Sequence, residues 1–171
     1  GTGSGETGMI PFSPQKCRYI KISRDSTVYS DQISCYELEI FGLVDSVNSP
    51  MPSETIKNIA AGLDDSSVIT DGKIKNSYPA AYMFDNDTKN TRMVIEKDGD
   101  SPYSSFTVNI GRIYTVSAVR YYWPGIHDGG DYKIYVSCNN EEWECVAEFS
   151  YEDFMYVTEK NNRADELANI G

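Results

Sequence analysis

The sequence is poor in the side chains that do chemistry near neutral pH: 171 residues include one histidine, His127, and four cysteines without a CxxC pair. A Ser-His-Asp or Cys-His constellation would have to use His127. It stands in the run WPGIHDGGD, whose glycines suit ligand approach more than the fixed geometry of acyl transfer. Carboxylates are plentiful, but they fall mainly on the polar sides of alternating segments and read as a solvated acidic surface, not a glycosidase pair. The chain is therefore expected not to be an enzyme. Cys17, Cys35, Cys138 and Cys145 have no histidine at zinc-ligand spacing, which removes a zinc site. They read as free, mostly buried thiols in preference to Cys17–Cys35 and Cys138–Cys145 disulfides.

Positive charge is scarce as well. Fifteen Lys and Arg stand against 26 Asp and Glu, a formal net charge of −11 that repels phosphate and disfavours nucleic acid and anionic lipid as partners. No run of about eighteen apolar residues is present, and no apolar stretch follows a basic start, so the chain as given shows neither a membrane span nor a signal peptide. Helical patterning is confined to Arg163–Ile170, too short to organise a fold. The opening Gly1–Gly8 (GTGSGETG) reads as an appended flexible leader.

What is present is alternation, with thirteen tyrosines among the apolar residues. Segments Cys17–Ser23, Cys35–Phe41, Phe106–Ile110, Val116–Trp123, Tyr132–Ser137 and Glu142–Phe149 have the period of half-buried strands. In the last, Trp143, Cys145, Ala147 and Phe149 share a face against Glu142, Glu144 and Glu148, and only Val146 breaks the rule. Asn139-Asn140 predicts a tight hairpin, because both side chains tolerate left-handed backbone. Turn chemistry recurs at Asp71-Gly72, Asp98-Gly99-Asp100 and Pro124 to Gly130, and Leu43–Lys57 reads as an internal linker. Short strands with turns and no alternating helices predict one all-β domain over residues 9–171, a sandwich or jelly roll.

Six phrases carry a resemblance: CRYIKI (Cys17–Ile22), YELEIFG (Tyr36–Gly42), FDNDTKNT (Phe84–Thr91), FTVNIG (Phe106–Gly111), VSAVRYYW (Val116–Trp123) and DYKIYVSCNNEEW (Asp131–Trp143). Together they resemble the discoidin, or coagulation-factor type C, family and the related galactose-binding-like carbohydrate-binding modules of bacterial glycosidases. The resemblance implies a galactose-binding-like jelly-roll β-sandwich. Its order departs from the family, since the two phrases that close such domains come first here. That implies a circularly permuted or strand-swapped sandwich in which an N-terminal hairpin, residues 17–42, fills the slot of the closing strands. The other reading is a fragment of a tandem array. Within one sandwich, Ile20, Ile22, Leu38 and Ile40 are expected to pack against Val108 and Ile134.

Two sites follow as expectations. Tyr122, Trp123, His127 and Asp128 place aromatic faces, an imidazole and a carboxylate near one loop, the pieces a sugar site needs, and the resemblance points to the same loop. Arg92, Asn139 and Tyr78 are further candidates; their bland roles are surface charge, hairpin turn and packing, and that of Trp123 is to end a core strand. Asp85-Asn86-Asp87 with Thr88, Asn90 and Thr91 offers hard oxygen ligands, or else a polar turn with its own caps. The resemblance implies a structural Ca²⁺ held by Asp85, Asp87, Thr91, the Tyr36 carbonyl and Glu37. One residue more than usual precedes Thr91, which leaves Thr88 or Asn90 as substitutes, and Asp71-Gly72 competes for the same phrase. The expected function is a non-catalytic carbohydrate-binding module of a secreted or cell-surface multidomain protein, accessory to a glycoside hydrolase, with a glycan and neighbouring domains as partners. The rivals are a protein–protein or spacer module and a lipid-binding discoidin-type domain, the latter disfavoured by the lack of a basic spike loop.

Overall fold

The computed structural model describes residues 5–24, 32–45, 54–96, 98, 104–123 and 131–150. Among them the chain forms β1 (Gly5–Arg24), β2 (Gln32–Cys35), β3 (Glu37–Asp45), β4 (Glu54–Asn58), β5 (Val68–Thr70), β6 (Lys73–Ile74), β7 (Met93–Glu96), β8 (Ser104–Trp123), β9 (Asp131–Ser137) and β10 (Glu144–Ser150). Among the described residues helix is limited to two 3-10 turns, Asp65–Ser67 and Ala80–Phe84. The larger sheet runs β10-β9-β1-β8-β3-β4, with β5 also on β8, and the smaller runs β2-β7-β6; every pairing is antiparallel. The arrangement is an antiparallel β-sandwich.

The sandwich closes because its two longest strands bend. A straight twenty-residue strand such as β8 would span about 65 Å at roughly 3.3 Å per residue. Instead, the β1–β8 register shifts between Pro11 and Gln15 and between Cys17 and Tyr19, and Gly111 adopts φ +95°, a conformation open to glycine at little steric cost. The half of β8 from Ser104 to Asn109 lies between β1 and β5, and the half from Val116 to Tyr122 between β1 and β3. The two halves fold back on each other, since the Tyr121 ring comes within 6.0 Å, centroid to centroid, of both Tyr132 and Phe149. Ser104 and Trp123 thus share one end of the sandwich, and the bend near Gly111 forms the other.

Side-chain alternation fills the space between the layers. Ile20 pairs with Val108 and Val136, and Ile22 with Phe106 and Ile134, while Leu38 pairs with Tyr121 and Ile40 with Val119. All of these are fully buried except Val136, at 5% exposure. The expectation that Ile20, Ile22, Leu38 and Ile40 enter the same core as Val108 and Ile134 is met. Ile33, Cys35, Met93 and Ile95 of the smaller sheet join that core with Met83 and Phe84 of the second 3-10 turn.

Four readings of the sequence need correction. The segment 17–42 is not a hairpin: β1 and β3 flank β8 on opposite sides and do not pair, because β8 offers each of them a buried partner face. Residues 43–57 are not a linker, since β3 and β4 pair from Phe41 with Asn58 out to Asp45 with Glu54, and the polar connection only interrupts a ladder. The leader assigned to residues 1–8 stops short, because Gly5 and Glu6 pair with Trp123 and Tyr122 through backbone groups that no side-chain pattern reveals. Finally, the face shared by Trp143, Cys145, Ala147 and Phe149 breaks at a bulge: Cys145 faces Tyr135, Ala147 faces Ile134, and Val146 has no partner between them. The extra residue turns Cys145 out to solvent while Phe149 stays buried. The candidate helix Arg163–Ile170 lies outside the described residues.

All four cysteines are free, with Cys17 and Cys35 buried and Cys138 and Cys145 exposed. Burial pushes the Cys17 thiol up to about 12, with a smaller push from Cys138, and drives Cys35 well above its usual range. The thiolate is the reactive form, so an aromatic disulfide reagent at pH 8 is expected to modify Cys138 and Cys145 quickly and the other two only after denaturation. Four equally fast thiols in the native protein would contradict the burial of Cys17 and Cys35.

Candidate functional site

The end of the sandwich that carries Trp123 gathers most of the predicted site residues. Strand β8 delivers Tyr122 and Trp123 as its last two residues, opposite Glu6 and Gly5 of β1. Across the other side, Tyr122 pairs with Glu37, and the Tyr36 amide donates to the Tyr122 carbonyl at 3.0 Å. Cys35 pairs with Met93, so Tyr36 and Arg92 leave the smaller sheet together at this same end. The Arg92 guanidinium lies over the Tyr78 ring, 5.1 Å from its centroid, and the Tyr78 carbonyl accepts from the Val94 amide at 3.2 Å. The Arg92 Nε is buried and has no hydrogen-bond partner among the described residues. His127 and Asp128 lie outside the described residues, as do the other residues of 124–130.

Asn139 is not part of this group. Strand β9 ends at Ser137, opposite Tyr19, so Asn139 turns over at the bend end of the sandwich. Its Oδ1 accepts from the Glu141 and Glu142 amides, both at 2.9 Å, and Asn140 takes φ 63°. The predicted hairpin is present, and the Asn139 carbonyl oxygen is committed to holding it.

The oxygen-rich turn does assemble around Glu37. That residue is 1% exposed, and its two carboxylate oxygens accept from the Asn86 amide, each at 3.2 Å. Burial pushes the Glu37 carboxyl up to about 8; the bond from Asn86 offsets part of this, and the neighbouring Asp85 and Glu39 raise it further. Asp85 Oδ2 accepts from the Thr91 hydroxyl at 2.5 Å, so Thr91 reaches the cluster despite the extra residue in the turn. Asp87 is employed differently. Its carboxylate accepts from the Lys89 amide at 3.0 Å and the Asn90 amide at 2.9 Å, bonds that hold it below the ordinary range. Asn90 in turn donates its side-chain nitrogen to Asp87. The competing Asp71-Gly72 turn is a packing element: Asp71 Oδ1 accepts from the Ser105 amide at 2.8 Å, and a Cβ at Gly72 would stand 2.5 Å from the Glu96 carbonyl oxygen.

A buried Glu37 carboxyl beside Asp85, with Thr91 bonded to Asp85, gathers hard oxygen atoms of the kind a calcium ion prefers. Among the described residues no three His, Cys, Asp or Glu side chains converge, so the remaining ligands would be carbonyl or hydroxyl oxygens. Residues that the sequence did not single out, above all Trp143 and Gln15, line a groove at the opposite end. Their spacing in the chain gave no signal, since they meet only through the β1–β9 pairing.

The fold is a jelly-roll β-sandwich with aromatic and polar residues at one end. Residues 64–169 match the F5/8 type C domain family, and the chain belongs to that family. The match covers more than half of the chain and leaves β1 to β4 before it, although β1 and β3 lie on either side of β8. No curated protein and no solved structure matches the chain significantly. Domains of this family are often carbohydrate- or protein-binding modules, are generally non-catalytic, and occur in extracellular or cell-surface proteins. No helix among the described residues is long and apolar enough to cross a membrane.

Proposed function

We propose that this domain is a non-catalytic carbohydrate-binding module of a secreted or cell-surface multidomain protein, and that it grips its glycan at the Trp123 end. The observation that carries this reading is the Arg92–Tyr78 pair beside Tyr36 and Tyr122, in which a buried Arg92 Nε lacks a partner among the described residues. A donor held on an aromatic ring, next to further aromatics at the mouth of a sandwich, supports recognition of ligand hydroxyls in an apolar setting. On this reading Trp123, His127 and Asp128, expected from the sequence, would add to the site, which binds glycan without transforming it. In family terms the proposal takes the chain as circularly permuted or strand-swapped, with β1 and β3 standing in for the closing strands. A glycan array probed with the wild-type domain tests the reading, which expects a defined set of sugars to be retained. An empty array, with capture of a protein partner instead, would favour the spacer or protein-binding alternative.

The same proposal includes a structural Ca²⁺ at Glu37, Asp85, Thr91 and the Tyr36 carbonyl, with Asp87 holding the turn. The ion would neutralise the buried Glu37 and the exposed Asp85 beside it, and fasten the turn 85–91 to β3. Binding only to the folded state adds about 2.7 kcal/mol at a concentration a hundred times Kd. For a domain of this size that corresponds to roughly 5–10 °C in melting temperature. Chelation should therefore lower the melting temperature of the wild type by several degrees and leave Asp85→Ala unchanged. A wild-type melt indifferent to both calcium and chelator would return the cluster to the role of a polar turn.

A further inference from the structure

At the bend end of the sandwich, opposite Trp123, the β9–β10 turn and β1 enclose a groove of about 260 Å³. Its lining includes Gln15 and Lys16 from β1, Val136 from β9, and Asn139, Glu142 and Trp143 from the turn. We infer that this groove is a second ligand site, built for a single neutral sugar ring.

The lining is held in place before any ligand arrives. The amides of Asn139 and Asn140 donate to Ser137 Oγ at 3.2 and 2.9 Å, and the Asn139 Oδ1 bonds to Glu141 and Glu142 lock the rest of the turn. Cys138 donates its thiol to the Lys16 carbonyl at 3.1 Å and so ties the turn to β1. The Trp143 ring is pinned by Lys21, whose ammonium sits 4.1 Å from the ring centroid. Fixed side chains of this kind lose little entropy on binding.

Charge and size narrow the ligand. A cation is disfavoured, because Lys21 already occupies the cation–π seat on Trp143 and Lys16 adds a second positive charge. An anion is disfavoured by Glu142 and Glu144 at the rim and by the net charge of −11. A neutral ligand with several hydroxyls finds acceptors in Glu142 and Gln15 and donors in Gln15, Lys16 and the side-chain nitrogen of Asn139, which has no acceptor among the described residues. Val136 and Trp143 supply the apolar wall for its C–H face. Drug-sized pockets span about 300–1,000 Å³, so a groove below that range holds one ring and not an oligosaccharide. The two sites lie at opposite ends, so the domain would bridge two glycan chains instead of gripping one at two points.

This inference shares its ligand class with the reading above but rests on different residues, and one titration separates them. Glucose, galactose, mannose and N-acetylglucosamine are added in turn to the isotope-labelled full chain at millimolar concentration. At least one should saturably shift the Trp143 indole N–H and the amides of Gln15, Lys16 and Asn139. Affinity at these probes should fall about tenfold or more in Trp143→Ala and persist in Trp123→Ala. If Trp143→Ala does not fold, Glu142→Gln, an exposed change, should give the same loss. Shifts at the groove alone would uphold this site and remove the one at Trp123. No saturable shift at the groove with any of the four sugars, or shifts that survive both groove substitutions, would overturn the inference.

Discussion

Deleting residues 1–24 should abolish cooperative folding of the domain. The deletion removes β1, which lies inside the larger sheet between β8 and β9 and pairs with both. It takes away the fully buried Cys17, Ile20 and Ile22, and each isoleucine alone stabilises by about 1.5–3 kcal/mol when buried. It also strips backbone partners from one side of β8 and one side of β9, in the interior of the sheet where water cannot replace them without opening the core. Against a total stability of about 5–15 kcal/mol, the loss is decisive. The prediction is not trivial, because the match to the family begins only at residue 64. Circular dichroism and amide-proton dispersion of residues 25–171 should show a non-cooperative melt and a collapsed spectrum. A cooperative melt within a few degrees of the wild type would mean that the segment matching the family folds by itself and that β1 is ornamental.

The second large effect is at Tyr121. Its ring is fully buried, lies within 6.0 Å of both Tyr132 and Phe149, and its hydroxyl donates to the Ser34 carbonyl at 2.7 Å, joining the larger sheet to the smaller. Tyr132 and Phe149 stack on each other at 5.1 Å with 14° between planes, so Tyr121 joins this pair of rings between the layers. Tyr121→Ala should cost about 3–5 kcal/mol, the range for removing a large aromatic from a core. Tyr121→Phe keeps the ring and loses the hydroxyl's bonds, the one to the Ser34 carbonyl and the one with the Cys35 thiol, which should cost about 1–2 kcal/mol, including the carbonyl left without that donor. Denaturant unfolding of both variants gives the two numbers. Equal losses would show that the hydroxyl, and not the ring packing, holds the two sheets together.

Period-two alternation revealed the strands where side chains decide the structure. Ile20, Ile22, Leu38 and Ile40 announce inward faces, and the Asn139-Asn140 turn announces the β9–β10 hairpin. It failed where backbone decides. The Gly5–Trp123 pairing has no side-chain signature, the Val146 bulge resets a face with one extra residue, and β8 runs through Gly111 as one bent strand where the pattern suggested two. Strand order was equally hidden, because any apolar face could have served β1 and β3, and only the tertiary fold sets both on β8. At the sites, the resemblance rather than the spacing grouped Glu37 with Asp85 and Thr91; in the fold Glu37 neighbours Asp85 and Thr91 bonds to Asp85, and the ion itself is a proposal. Asn139, a further candidate read from the residues, lies away from Trp123 because the hairpin carries it to the opposite end. The groove beside Trp143 could not be read from the sequence, since Gln15 and Trp143 are 128 positions apart and meet only after β1 enters the sheet.

The central claim is that the Trp123 end binds sugar without carrying the fold, and calorimetric titration of Trp123→Ala alongside its thermal melt separates the two parts. Removing an indole that stacks on a sugar commonly costs a few kcal/mol of binding, so affinity for a glycan retained by the wild type should fall by about tenfold or more. The melting temperature should stay within a degree or two of the wild type. A variant that unfolds would assign Trp123 to the core, and one that melts normally and binds with undiminished affinity would remove it from the site.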